Sequence, residues 1–346
     1  MCVTRRFSAT IRQSSSYLSI LLYIALPFFG GCTNASKGVI RVGLLPNLAH
    51  AHALVAANMS REGEKGWFEK RLGPGIDVQW FVFHAGPSVM EAIFAGSIDL
   101  AYIGPCPALN GHVRSNGKEI RVLSGGATAG GGEALVVRSP EWTYASDLRG
   151  KTICTPQLGN TQDVACRTWF IHNGMQVNLT SGGDVHIVPL ASPDIFTQFS
   201  KGAIDGAWTV EPWVSRLLTE AGGHVLYRPR ASITTVLITS ASFLRRHPTI
   251  VQKFLSAHQA LTTWIIENPE KAQERVHKAL LGFVKQDVVS LNLIRKVWKR
   301  LNFKKTVQLL DFEQFMADAH LSKLLSREDF DLSNLMVSTS RLHHIP

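Results

Sequence analysis

What is scarce in this chain narrows its function before what is present does. Its five cysteines, Cys2, Cys32, Cys106, Cys154 and Cys166, are too few and too irregularly spaced to form a disulfide framework or a metal knuckle. There is no Gly-x-Ser-x-Gly elbow, no complete phosphate loop and no His-Glu-x-x-His, so the usual signatures of hydrolases, nucleotide-binding loops and zinc peptidases are missing. No dense Lys/Arg run is interleaved with aromatics, which argues against nucleic acid as a partner. Charged residues make up only 18% of the chain against 45% hydrophobic, a globular balance that excludes a disordered chain. The net charge of +10 falls to about +7 without the arginines of the leader described next, an excess that favours anionic ligands or surfaces and equally suits an ordinary solvated basic surface.

The apolar run Tyr17 to Phe29 is too short to cross a bilayer comfortably. It follows Arg5, Arg6 and Arg12, and the order of positive segment, apolar segment and small residues is that of an export signal. Phe29-Gly30-Gly31-Cys32 resembles a bacterial lipobox, in which lipid is attached to the cysteine, although Phe29 departs from the usual leucine. Ordinary secretion with cleavage nearby is the alternative. The expectation is a signal over residues 1–31, lipidation at Cys32 and a polar tether over 32–37. With Cys2 and Cys32 so assigned, Cys106, Cys154 and Cys166 read as buried free thiols.

The most informative feature that is present is a repeat. Gly96-Ser-Ile98-Asp99-Leu-Ala101-Tyr102 returns as Gly202-Ala-Ile204-Asp205-Gly-Ala207-Trp208. Asp77-Val78 opens an apolar strand before the first copy, and Asp184-Val185 opens one before the second at nearly the same offset. A unit this long is no solenoid repeat. It predicts two α/β lobes of related design, doubly wound around a cleft, and a cleft implies a ligand.

Apolar runs of strand length alternate with helical segments over 38–128, the first part of lobe one, and the cycle restarts over 129–230, lobe two with its crossovers. Such alternation argues for parallel sheets with helices on both faces. Thr234 to Thr239 reads as a strand returning the chain to lobe one, so that 231–346 completes it with C-terminal helices, the last a helical section from Phe312 to Phe330 packed on lobe one. Val251, Phe254, Leu255, His258, Leu261 and Ile265 recur at helical spacing, which makes His258 a hydrogen-bonded core histidine.

In open parallel sheets ligands bind beyond the carboxyl ends of the strands. That rule selects Asn47, His50 and His52, then Gly86, Pro87 and Ser88, then Pro105, Cys106 and Pro107 in lobe one. In lobe two it selects Gly159-Asn160-Thr161-Gln162, Ser192, and Glu211-Pro212-Trp213. Ser88 and Thr161 each stand where a helix begins, where free N–H groups and the positive dipole end favour an anion; plain N-capping is the other reading of both. Trp213 and Trp208 are candidates for an apolar part of a ligand, Trp208 equally for the core. Glu211 is suited either to a cationic group or to tying its turn through backbone N–H groups. The His50-x-His52 spacing has no third ligand beside it, so neither metal nor cofactor is expected.

Arg41-Val-Gly-Leu-Leu-Pro-Asn47 with His50, Phe94 to Gly104, Gly159-Asn-Thr-Gln-Asp163 and Gly202 to Trp213 together resemble the substrate-binding proteins of ABC importers for nitrate, aliphatic sulfonates and taurine. The resemblance covers roughly residues 38 to 280, with Cys106 unusual in its loop. It implies a type II periplasmic-binding fold closing by hinge motion on a small solute, expected to be anionic. It also implies a monomeric receptor, not an enzyme, that faces a membrane permease. An enzyme or a sensing module on the same bilobed fold is the alternative, since fold alone does not separate these.

Overall fold

A computed structural model describes residues 38–61, 65–129, 132–180, 182–229, 232–284, 289–327 and 329–337. The signal, Cys32 and the tether lie outside them.

Lobe one begins with β1 (Gly38–Leu44), α1 (Ala51–Arg61), the short α2 (Glu69–Leu72), β2 (Ile76–Val82), α3 (Gly86–Phe94), β3 (Leu100–Ile103), α4 (Pro105–Arg114) and β4 (Ile120–Gly125). A three-residue strand, β5 (Ala127–Ala129), carries the chain out. Lobe two runs through β6 (Glu133–Val137), β7 (Thr152–Thr155), α5 (Thr161–His172), β8 (His186–Pro189), α6 (Ser192–Ser200), β9 (Gly206–Val210), α7 (Trp213–Glu220) and β10 (His224–Tyr227). The chain returns through β11 (Ser232–Ile233) to β12 (Val236–Ser240), then α8 (Ala241–Arg246), α9 (Pro248–Glu267), α10 (Pro269–Val284), α11 (Leu291–Trp298), β13 (Leu301–Phe303) and α12 (Leu309–Leu321).

Each lobe holds a five-stranded sheet, ordered β2-β1-β3-β12-β4 and β8-β7-β9-β6-β10. The sheets are mixed rather than purely parallel. β12 runs antiparallel to β3 and β4, and β6 antiparallel to β9 and β10. The reason is the crossover: each of these strands enters its sheet from the other lobe and so arrives reversed. Both crossovers pair in a third sheet, β11-β5-β13, which sequence periodicity does not reveal because its strands have two or three residues. The boundaries expected at 128/129 and 230/231 fall in β5 and just before β11.

The repeat has a physical basis. Asp99 accepts the backbone N–H of Arg41 in β1 at 2.8 Å and returns its own N–H to the Arg41 carbonyl at 2.8 Å. Asp205 does the same to Thr152 in β7, at 2.9 and 3.0 Å. One carboxylate thus locks the start of β3 onto β1 in lobe one, and another the start of β9 onto β7 in lobe two. The glycines before them, Gly96 and Gly202, have φ of 67° and 77°, the left-handed conformation that ends a helix at little cost only in glycine. Ile98 and Ile204 are buried behind them.

Phe68 stacks on Phe254 at 3.9 Å in the lobe-one core. His258 is the expected core histidine, bonded to the Tyr102 hydroxyl (2.9 Å) and the Gly125 carbonyl (2.8 Å). Cys106, Cys154 and Cys166 are buried free thiols. The final helical section is shorter than expected: α12 ends at Leu321, Lys323 takes φ 58°, and turns follow. α12 packs on α4 of lobe one and also on α5 of lobe two.

Candidate functional site

The carboxyl ends of the strands in both lobes open onto one pocket system. Its inner part is a niche of about 30 Å³, close to the ~30 Å³ share of one water. It widens into a chamber of about 230 Å³. Asn47, Asn160 and Gln162 line both.

Asn47 precedes a 3-10 turn, Leu48–His50, and caps it by accepting the Ala49 N–H at 3.0 Å. This turn delivers His50 to the niche. His50 Nδ1 accepts the Leu45 N–H at 3.3 Å, and desolvation pushes the ring pKa down to about 3. The ring is therefore neutral, with its proton on Nε2 as the donor it can offer.

The first turns of three helices surround the niche. α3 begins at Gly86 after the extended residue Ala85, and α4 after Gly104; neither start is capped by a side chain. Both glycines are required by close approach. A Cβ on Gly86 would lie 2.5 Å from Pro107 Cγ, and one on Gly104 would lie 2.5 Å from Thr161 Oγ1. α5 begins at Thr161 behind Asn160, whose side chain accepts the Asp163 N–H at 2.8 Å. Thr161 is not the cap of its helix. Its Oγ1 instead accepts the Cys106 N–H, at 3.4 Å, across from lobe one.

The loop that carries Asn160 is braced from beneath. Asp163 accepts from the Thr155 hydroxyl (2.7 Å), the Gly159 N–H (2.9 Å) and Arg167 Nε (3.0 Å), and Arg167 Nη1 donates to the Asn178 carbonyl (2.8 Å). Both side chains are fully buried. Sequence reading missed this pair, although an acid three residues after an N-cap asparagine is a visible helix-start signal.

Gln162 reaches Glu133, which burial holds above the usual carboxylate range against hydrogen bonds from Trp208 and Gln162. Trp208 is thus core, its indole tied to Glu133. Trp213, half-buried at the start of α7, lines the chamber with Pro212, Ser192 and Pro193.

Of the residues the strand-end rule selects, His52, Pro87, Ser88, Pro105, Cys106, Gly159 and Glu211 stand outside the cavity walls. Ser88 is the third residue of α3, and neither caps the helix nor lines the pocket. Pro105 and Cys106 open α4 beneath the niche, buried, while Gly104 and Pro107 line it. Glu211 ties its turn. Its carboxylate accepts the Ser215 N–H (3.0 Å) and hydroxyl (3.0 Å), and Arg300 Nη1 at 2.9 Å, while burial raises its pKa. His50 and His52 diverge: His52 is in the core, bonded to Thr262 and 4.7 Å from the His258 ring. The chamber also has walls that sequence reading did not select, Leu280, Phe283 and Val289 from the C-terminal section.

Among the described residues the lining holds no Asp, Glu, Lys or Arg, and its titratable side chains are His50 and His84. An anion here would be held by helix N-termini and neutral donors. Each terminus is worth ~0.3–1 kcal/mol when exposed and up to ~2 kcal/mol when partly buried.

The model of the NMT1-like family matches residues 34–280. A Brucella abortus (strain 2308) protein named only as a binding protein is 24% identical over 296 residues, 84% of this chain and 85% of its own length. The taurine-binding periplasmic protein of Escherichia coli K12 is 29% identical over 238 residues, 65% of this chain and 69% of that one. Among solved structures, the alkanesulfonate-binding protein SsuA from Xanthomonas axonopodis pv. citri, bound to MOPS, superposes with a TM-score of 0.71 at 17% identity, covering 88% of this chain and 99% of SsuA. Because the family model spans well over half of its length, the chain belongs to the NMT1-like family, and it has the two-lobed periplasmic-binding fold of its solved neighbours.

Proposed function

We propose that this protein is an extracytoplasmic solute receptor, not an enzyme, that closes its two lobes on a small anion-bearing solute and delivers it to an ABC importer. The observation that carries this reading is the niche, where the first turns of α3 and α4 from lobe one meet the first turn of α5 from lobe two. The Thr161–Cys106 contact beside it joins the lobes. The first turns of α3 and α5 offer backbone N–H groups from the two lobes, and an oxyanion placed between them would satisfy both. The ligand residues are Asn47, His50, Gly86, Asn160, Thr161 and Gln162 at the head, with Trp213 along the body. Pro105, Cys106 and Glu211 support them from behind. The family relatives named for taurine and sulfonate binding support the same class of solute. Lipidation at Cys32 belongs to this reading and rests on the Phe29-Gly-Gly-Cys32 pattern alone; the receptor works as a monomer tethered beside its permease.

The test is thermal unfolding against a panel of taurine, alkanesulfonates, nitrate and short carboxylates. A true ligand at about 100 times its dissociation constant adds ~2.7 kcal/mol of stability. A panel in which no anion raises the midpoint removes the reading.

A further inference from the structure

The chamber is larger than an oxyanion needs, and one of its walls comes from an unexpected place. α10 packs on α1 through Ala272, Val276 and Ala279, an apolar stripe at helical spacing that belongs to the lobe-one core. Leu280 and Val289 belong to the same core, Phe283 packs against it, and all three also line the chamber. Phe283 is only partly buried, and its ring lies 3.9 Å beneath the Arg61 guanidinium, which fixes its face. Phe283 and Val289 also lie beyond residue 280, where the family match ends.

Opposite them stand Pro193, Pro212 and Trp213 from lobe two. The polar groups Asn47, Asn160 and Gln162 sit at the junction with the niche. The niche donors thus stand at one end of the pocket, and the chamber is lined mainly by carbon, with His84 and Ser192 as its further polar side chains. A volume of about 230 Å³ holds a body of about eight water-sized groups. Water filling such a chamber would face mainly carbon, so replacing it with an apolar ligand body is favourable.

We infer that the C-terminal turn of α10, through Leu280 and Phe283 with Val289, is a specificity wall that selects a monoanion carrying an uncharged apolar body of several carbons over bare oxyanions and short polar solutes. The inference rests on the solute-receptor reading above and goes beyond it by naming the body of the ligand and the residues that choose it. Phe283 is a specificity residue; the anion is held elsewhere.

Isothermal titration of the full-length protein with methanesulfonate, hexanesulfonate, acetate, hexanoate and taurine tests it. Within each head group, affinity rises about three- to fourfold per methylene, so hexanesulfonate binds at least about 200-fold tighter than methanesulfonate and hexanoate at least about 80-fold tighter than acetate, and taurine binds nearer the short ones. In Phe283→Ala the six-carbon ligands lose about tenfold while methanesulfonate changes less than twofold. Phe283→Leu, which keeps an apolar wall, restores most of the loss, and the ligand-free melting temperature of both variants checks that the fold is intact. Equal affinity for one- and six-carbon anions overturns the inference and leaves the receptor reading standing. A chain-length dependence that survives unchanged in Phe283→Ala overturns the role of α10. If neither head group binds at any length, the receptor reading fails and the inference with it.

Discussion

The two lobes share a scaffold and differ in how they meet the ligand. Both place a left-handed glycine, a buried isoleucine and an aspartate at the same structural position, and both aspartates exchange two hydrogen bonds with the first strand of their sheet. Beyond the strand ends the likeness stops. Lobe one presents bare helix starts at Gly86 and Gly104, with a neutral histidine beside them. Lobe two presents Asn160, Thr161 and Gln162 on a loop held by the buried Asp163–Arg167 pair. The lobe interiors differ too: lobe one buries neutral His52 and His258, lobe two an ion pair. Duplication preserves what the sheet needs, and the loops are free to diverge because the lock does not depend on them.

Acid sharpens this contrast most strongly. His50, His52 and His258 are held below the ordinary histidine pKa by burial, His50 to about 3 and His258 to about 4. The unfolded chain therefore binds protons that the folded chain refuses. Their contribution to stability is present above about pH 6.5 and is lost as the pH falls from there toward 4, with a slope of up to ~1.4 kcal/mol per pH unit for each ring. Urea titrations at pH 7, 6, 5 and 4.5 should show the loss, and His258→Gln should flatten it. A flat profile would mean that these rings are not neutral and buried as the fold places them.

The equivalence of the two locks can be broken directly. Asp99→Ala and Asp205→Ala each strand backbone donors and should cost ~1–3 kcal/mol. Asp99 also receives both Nε and Nη2 of Arg41, at 3.1 and 2.7 Å, so its removal should cost somewhat more. Denaturant midpoints give the comparison, and a negligible loss in either variant would show that the repeat is not a structural lock.

The smallest effect separates the two residues that sequence position made equivalent. Thr161→Ala removes the inter-lobe contact and should weaken binding of a ligand found by the anion panel by about 0.5–1.5 kcal/mol, with the fold retained at a lowered ligand-free midpoint because the buried Cys106 N–H loses its acceptor. Ser88→Ala, away from the cavity walls, should leave the titration curve unchanged. The reverse pattern would exchange their roles.

Much of this was legible beforehand, for local reasons. The Gly-x-Ile-Asp lock is read from sequence because a left-handed glycine and a strand-docking aspartate are needed where the chain turns from helix to strand. The rule of strand ends placed Asn47, His50, Gly86, Asn160, Thr161, Gln162 and Trp213 at one cavity. It overreached at Ser88, whose place two residues inside its helix turns it from the walls. At Glu211 it left two readings open, and packing chose the turn-tying one by bringing up Arg300 from a distant part of the chain. The third sheet was invisible because strands of two or three residues carry no periodicity.

The sequence alone determined that there are two lobes, where the strands of the repeated unit lie and which loops follow them toward the space between, because these follow from contacts between residues near in the chain. Only the tertiary structure decided that Thr161 meets Cys106, that Arg300 takes Glu211, and that the end of α10 closes the chamber. Those contacts join residues far apart in sequence, and no local preference of either partner records the other.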